Sequence, residues 1–189
     1  MNKLILTDVD GVLLNWSDGF DRWMAERGYD RVLSGEYELG PTYGIDNDTA
    51  HKLAVEFNSS DAIGDLEPLR DSVKYVKKLY EEHGFRLHCI TAIPDTQKTY
   101  LSRSKNLARY FGDAIYRLNC TDSSKNKHIY LREYIDTGMP WIEDRIEMAE
   151  LGERMGLTTY LIDHDYNQHL DNNDIMRVKN WKELYEILT

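Results

Sequence analysis

The stretch Lys3-Leu4-Ile5-Leu6-Thr7-Asp8-Val9-Asp10-Gly11-Val12-Leu13-Leu14 decides how this chain is read. An apolar, β-prone run stops at two aspartates one residue apart, followed by glycine. A strand buried in a parallel sheet reads as a near-continuous apolar segment, and open α/β sheets place their ligands beyond the carboxyl ends of such strands. Residues i and i+2 of an extended chain point the same way, so Asp8 and Asp10 are expected to face one site. Gly11 lets the chain turn away, because glycine tolerates conformations closed to other residues. Two carboxylates this close repel unless a cation or a proton lies between them. The competing reading is a solvated Asp-x-Asp-Gly turn. The strand in front and the pattern downstream weigh against it.

Downstream, helical and extended patterns alternate. Helical spacing of Trp16, Phe20, Trp23 and Met24 predicts a helix over 16–29, and Leu53, Ala54 and Phe57 predict another over 48–58. Between them, 33–45 is rich in Gly, Pro and Tyr and reads as loop. From Pro68 onward the spacing predicts helices over 69–83, 95–111, 125–135, 145–155 and 181–188. Strands are predicted over 85–91, 114–119, 139–142, 158–162 and 174–178. Strands alternating with helices of this length give a Rossmann-like α/β fold, a parallel sheet with helices on both faces. The expected organisation is an α/β core of residues 1–15 and 68–189, with a small helical cap of residues 16–67 inserted after the first strand.

Composition bounds the function. The 189 residues are 41% hydrophobic and 30% charged, enough for a core and a soluble surface. Lys and Arg total 23 against 33 Asp and Glu, a formal charge of −10. Such a chain has little electrostatic reason to bind nucleic acid or an anionic membrane. Cys89 and Cys120 sit in apolar, strand-like runs and read as buried free thiols of a reducing compartment. The chain opens directly on a strand and holds no apolar run long enough to span a bilayer, which predicts a cytoplasmic protein.

Chemistry gathers at the predicted strand ends. The first strand ends in Asp8 and Asp10, the second in Thr91, and a later one in Glu143-Asp144, while Lys125 and Lys127 open the helix before that acidic strand. Carboxylates from separate strands suit an octahedral Mg²⁺ that keeps several waters. A lysine and a threonine hydroxyl supply the point charge and the donor that a phosphate needs.

This pattern resembles the haloacid dehalogenase superfamily of phosphohydrolases over nearly the whole chain. Asp8-Val9-Asp10-Gly11-Val12 is similar to its first motif, Thr91 to its second, Lys127 or Lys125 to its third, and Glu143-Asp144 to its fourth. The resemblance implies that Asp8 is the nucleophile, forming an aspartyl-phosphate, and that Asp10 is the general acid and base. It implies Mg²⁺ held by Asp8, the Asp10 backbone carbonyl and Asp144, with Glu143 supporting the metal directly or through water. Thr91 and one lysine would bind the phosphoryl oxygens. Lys125 and Lys127 lie two apart, so only one faces the site. Lys127, four residues before Leu131, is preferred.

The opening through Trp16 is also similar to that of 5′(3′)-deoxyribonucleotidases, whose lid aromatics embrace a base. The insert here carries Trp16, Phe20, Trp23, Tyr37, Tyr43 and Phe57. Phe20, Trp23 and Tyr43 are the candidates for selecting substrate. The function implied is a Mg²⁺-dependent phosphomonoesterase for a small phosphorylated metabolite, with a (deoxy)nucleoside monophosphate as the candidate substrate. Alternatives are a nucleic-acid 3′-end phosphatase, a phosphotransferase and a non-catalytic binding protein. His164-Asp165-Tyr166-Asn167 follows a strand and reads as a polar loop at the sheet edge.

Overall fold

β1 (Lys3–Thr7) occupies the middle of a six-stranded sheet. The computed structural model describes residues 3–36, 38–169 and 172–189, so Tyr37 lies outside the described residues. After β1 come α1 (Trp16–Ala25), α2 (Leu39–Tyr43) and α3 (Asn47–Ser59), then a 3₁₀ turn at Asp61–Asp65. The alternation that follows is α4 (Ser72–His83), β2 (Phe85–Thr91), α5 (Gln97–Phe111) and β3 (Ile115–Cys120). It continues through α6 (Lys127–Leu131), β4 (Pro140–Glu143), α7 (Ile146–Arg154), β5 (Thr158–Ile162), β6 (Met176–Val178) and α8 (Trp181–Leu188).

The strand order is β3-β2-β1-β4-β5-β6, with every pairing parallel. The fold is therefore α/β and Rossmann-like. The chain leaves β1 toward one side through β2 and β3, then returns to its other side at β4. Such a reversal opens a crevice at the carboxyl ends of the two strands flanking it, here β1 and β4. Successive side chains of β1 enter different apolar layers. Ile5 joins Val76, Leu79, Leu107 and Trp181, whereas Leu6 joins Ile90, Leu131, Trp141 and Leu157. This twofold alternation places packed helices on both faces.

The insert does not build an apolar nucleus of its own. Phe20, Trp23, Met24, Tyr43 and Phe57 belong to the same continuous cluster as Val9, Val12 and Leu14. Two stretches differ from the sequence expectation. The segment 33–45 contains α2, because Pro41 falls in a first helical turn, where its missing N–H costs nothing, and Gly44 closes it at φ 65°. Residues 125–135 form a broken helix: α6 is flanked by 3₁₀ turns at Ser124–Asn126 and Arg132–Tyr134. That break matters, since it puts Lys127 at the first position of α6.

Candidate active site

Asp8 is fixed by the sheet before any side-chain contact is made. Its backbone N–H donates to the Ile142 carbonyl at 2.9 Å, extending the β1–β4 pairing by one residue. The chain then folds tightly: the amides of Leu13 and Leu14 both return to the Val9 carbonyl, at 2.8 and 2.9 Å. Val9, Val12, Leu13 and Leu14 are all fully buried, so Asp8 and Asp10 are left facing the crevice. Gly11 adopts φ 75°, and a Cβ there would collide with the Asp144 carboxylate and approach the Tyr166 hydroxyl to 3.0 Å. Glycine is required twice at this position, by conformation and by space.

Lys127 reaches this cluster from α6. Its Nζ lies 2.7 Å from Asp8 Oδ2 and 2.5 Å from Glu143 Oε1, and all three side chains are buried. Lys125 is exposed, on the flanking 3₁₀ turn. Glu143 has no free oxygen. Oε1 holds Lys127, and Oε2 accepts from the backbone amides of Asp144 and Arg145 at 2.9 and 3.0 Å. The carboxylate thus clamps the lysine while closing the turn after β4. One oxygen of the next residue remains open: Asp144 Oδ1 is buried without a hydrogen-bond partner. Oxygens of Asp8, Glu143 and Asp144 all lie within 4.8 Å of one another, the one such acidic group among the described residues.

Burial governs the electrostatics. It raises the pKa of Asp8 against the opposing pull of Lys127, and that of Asp144, where the Asp8 charge adds to the effect. Glu143 is raised by burial with Lys127 opposing. The Lys127 ammonium is held above its ordinary range by Asp8 and Glu143, which outweigh its own desolvation. Three carboxylates around one ammonium leave an excess of negative charge in a dry site. A divalent cation would relieve that excess, and the unpartnered Asp144 oxygen beside Asp8 is a donor set of the right kind for it.

Asp10 sits on the other side of the loop. Arg103 Nη2 spans its two carboxylate oxygens at 2.8 and 3.0 Å, and the Thr91 hydroxyl lies 3.4 Å from Oδ2. Burial raises the Asp10 pKa, with Arg103 opposing. The loop 164–167 closes the crevice from β5. His164 Nε2 donates to the Gly11 carbonyl at 2.7 Å, so its proton is on that nitrogen, and burial keeps the ring's pKa low. The Tyr166 hydroxyl donates to Asp144 Oδ2, and Asn167 Nδ2 donates to the Asp144 carbonyl at 2.7 Å. The ring of Tyr166 stacks on that of His164. This loop is more than a polar sheet edge: it braces the acidic turn and the glycine turn against each other.

The cavity above these residues measures about 790 Å³ and is walled on its far side by the insert. Here the expectation for the aromatics is corrected. Phe20, Trp23 and Tyr43 do not line it; they are buried against Phe57 and one another, with Phe20–Phe57 centroids 5.3 Å apart and Phe20–Tyr43 5.5 Å. One face of α1 carries Trp16, Phe20 and Trp23, and most of that face is needed to anchor the insert. Trp16, at the start of the helix, lines the cavity. It stacks on Phe20 at 4.6 Å, and its indole N–H donates to Asn58 Oδ1 at 2.8 Å.

Arg103, His164, Tyr166 and Trp16 were not assigned a site role from the sequence. A signal for Arg103 existed. The buried positions of α5 are Thr99, Arg103, Asn106, Leu107 and Phe111, so a charged residue sits on the apolar phase of a helix.

No family profile matches the chain. Solved structures do. The D,D-heptose 1,7-bisphosphate phosphatase of B. bronchiseptica, complexed with magnesium and phosphate, superposes with a TM-score of 0.63 at 14% identity, covering 98% of this chain and 97% of that one. The L-2-haloacid dehalogenase of Xanthobacter autotrophicus, with chloropropionic acid covalently bound, gives 0.62 at 10% identity over 100% and 98%. The chain has the haloacid dehalogenase-like fold. CbbY of Rhodobacter sphaeroides, in complex with phosphate, gives 0.58 at 17% identity over 97% and 96%. In sequence, an uncharacterized 32.4 kDa protein of Enterobacteria phage T4, from the Gp30-rIII intergenic region, is 28% identical over 138 residues. That match covers 69% of this chain and 49% of the phage protein, so the chain spans about half the length of that relative. Among the described residues, no helix is long and apolar enough to cross a membrane.

Proposed function

We propose that this protein is a Mg²⁺-dependent phosphomonoesterase that acts on a small phosphorylated metabolite through an aspartyl-phosphate. One observation carries the reading. Asp8 is buried at the end of β1 between the Lys127 ammonium and the open oxygen of Asp144, so a nucleophilic carboxylate has a cation on one side and a cation-binding donor on the other. In the first step Asp8 attacks phosphorus, the bond to the leaving oxygen breaks, and Asp10 gives that oxygen its proton. In the second step water attacks the aspartyl-phosphate, Asp10 takes a proton from it, and Asp8 and phosphate are released. Two easier displacements replace one hard one. Lys127 and the Thr91 hydroxyl neutralise and hold the phosphoryl oxygens. Asp8, Asp144 and the Asp10 carbonyl would hold Mg²⁺, with Glu143 acting through its clamp on Lys127. When bound, the metal supplies positive charge that offsets the repulsion between Asp8 and an incoming phosphate.

The leaving group occupies the cavity beneath the insert. Its volume suits a metabolite of nucleotide size, and the half-buried indole of Trp16, which lines it, offers a surface on which a base can stack. A nucleoside monophosphate is accordingly the proposed substrate class. Acidic wall residues, among them Asp18, Glu36, Glu38 and Asp165, disfavour a nucleic-acid strand, which needs a basic track. The test is phosphate release, with and without Mg²⁺, from nucleoside monophosphates, sugar phosphates and an aryl phosphate. Metal-dependent release that favours nucleotides supports the reading in full. Release from sugar phosphates alone removes the nucleotide assignment. Absence of release from every compound by folded, Mg²⁺-binding protein removes the phosphatase reading and favours a phosphotransferase or a binding role.

A further inference from the structure

Arg103 is fully buried in the middle of α5, twelve residues beyond Thr91, and it does not line the cavity. Among the described residues its side chain has one hydrogen-bonded and ion-paired partner, Asp10. Its Nε and Nη1 donors have none, and neither does the Asn106 Oδ1 acceptor one turn further on. A guanidinium in this position is costly. Desolvating it is only partly offset by a single carboxylate, and pairs of this kind are often replaced by apolar side chains without loss of stability. Folding alone therefore gives a weak account of it.

Geometry gives a better one. The Asp10 carboxylate follows a tight loop and could turn toward the crevice in several rotamers. Arg103 Nη2 donates to Oδ2 at 3.0 Å and lies 2.8 Å from Oδ1, which fixes the plane of the carboxyl group. The helix that carries Arg103 is itself immobilised. Asn106 Nδ2 donates to the Leu66 carbonyl at 3.0 Å where the insert rejoins the core, and Thr96 caps the helix start through the Thr99 amide.

We infer that Arg103 is a positioning residue that aims the Asp10 carboxyl group at the leaving oxygen of the substrate. The inference rests on the phosphomonoesterase reading and adds to it a residue that never touches substrate. Proton delivery to a leaving oxygen matters in proportion to that oxygen's basicity. A sugar or alkyl oxygen needs the proton; a dinitrophenolate leaves without one. Because kcat/KM reports events only up to departure of the leaving group, it isolates this step from hydrolysis of the aspartyl-phosphate.

The experiment compares kcat/KM for an alkyl phosphomonoester accepted by the wild-type protein with that for 2,4-dinitrophenyl phosphate. It uses wild type, Arg103→Met, Arg103→Lys, Asp10→Asn and the Asp10→Asn/Arg103→Met double variant, with folding followed by circular dichroism. Arg103→Met is expected to lose about 100-fold or more on the alkyl ester and under about fivefold on the aryl ester. Arg103→Lys, which keeps the charge and loses the two-oxygen contact, should fall between. The double variant should match Asp10→Asn alone, because the two side chains act as one unit. Equal losses on both esters, or additive losses in the double variant, would overturn the assignment and leave Arg103 a structural residue. Failure of both Arg103 variants to fold would overturn it in the same way. Wild-type protein inert toward both esters would instead overturn the phosphatase reading, and the assignment with it.

Discussion

The two walls of the cavity are built on opposite terms. On the sheet side, Asp8 and Asp144 line the cavity, Lys127 and Glu143 pack against them, and all four are nearly inaccessible to solvent and locked by short contacts to one another and to backbone amides. On the insert side, Asp18, Arg31, Glu38, Asn47 and His51 line the same space and are exposed. Their contacts are local: Arg31 Nε bridges both Asp21 oxygens, at 3.0 and 2.9 Å, and Glu38 Oε2 accepts from Asn47 at 2.9 Å. Charge handling needs dipoles fixed before substrate arrives, since reorganising them during reaction costs rate. Selecting a leaving group needs a wall that exchanges water for ligand. Under the proposed function, the burial difference assigns charge handling to the sheet wall and leaving-group selection to the insert wall.

The sharpest break in that comparison is at Asp8. Asp8→Asn keeps volume and shape but removes the nucleophile, so phosphate release should fall by about 10⁴-fold or more while the melting curve stays cooperative. Turnover near the wild-type rate would end the covalent mechanism. Lys127→Met should lower kcat by about 10²- to 10³-fold, the cost of losing one preorganised charge beside the phosphoryl group. Lys125→Met, two residues away on the preceding 3₁₀ turn and exposed, should have no measurable effect on kcat. If the two lysine variants behaved alike, the clamp formed by Glu143 would have no role in turnover.

The same division explains what the sequence discloses. Strand ends are set by a twofold alternation and a short buried run, both visible in residues 3–14, so the sequence alone brings Asp8, Asp10, Thr91 and Asp144 to one sheet edge. The preference for Lys127 over Lys125 comes from the family resemblance, through its spacing from Leu131, since nothing local separates two lysines two residues apart. The insert offered no such rule. Trp16, Phe20 and Trp23 share one helical face, and nothing local to that face tells which ring meets the cavity and which meets Phe57. Only the packing of α3 against α1 decides it. Arg103 and Tyr166 act across 93 and 22 residues of sequence, respectively, as partners of Asp10 and Asp144. The apolar phase of α5 marks Arg103 as buried, but nothing local in the sequence names the distant partner of either side chain.

Aromatic substitutions in the insert test whether the second wall is one unit or two. Phe20→Ala removes a fully buried ring in contact with Trp16, Trp23, Tyr43 and Phe57, and should cost about 3–5 kcal/mol in chemical denaturation. Trp16→Ala should cost less in stability but raise KM for a nucleotide by about fivefold to a hundredfold, the loss of roughly 1–3 kcal/mol of stacking. It should leave kcat/KM for a plain aryl phosphate almost unchanged. Parallel losses on both substrates would mean that Trp16 only supports Phe20, and that no ring of α1 reads the leaving group.

The smallest effect expected is also the one that reads the sheet wall without any substrate. Asp8, Asp10, Glu143 and Asp144 all have pKa values raised by burial. Between the ordinary carboxylate value of about 4 and the raised one, each binds more proton folded than unfolded, so metal-free stability falls as pH rises through that window. His88 and His164, lowered by burial, act in the opposite sense: the unfolded chain takes up their protons first, and stability falls as pH drops below about 6.5. Absolute stability therefore mixes two trends, but the increment produced by Mg²⁺ does not. The cation must displace protons from the carboxylates, so its stabilisation should be near zero at about pH 5 and grow toward about pH 7.5. At a Mg²⁺ concentration tenfold to a hundredfold above its dissociation constant, the increment should reach about 1.4–2.7 kcal/mol, a few degrees in Tm. Asp144→Asn should abolish most of it, while His51→Ala, on the exposed wall, should leave it intact. An increment equal at both pH values would show that Mg²⁺ binds outside this cluster, and the contrast between a charge-handling wall and a selecting wall would lose its electrostatic basis.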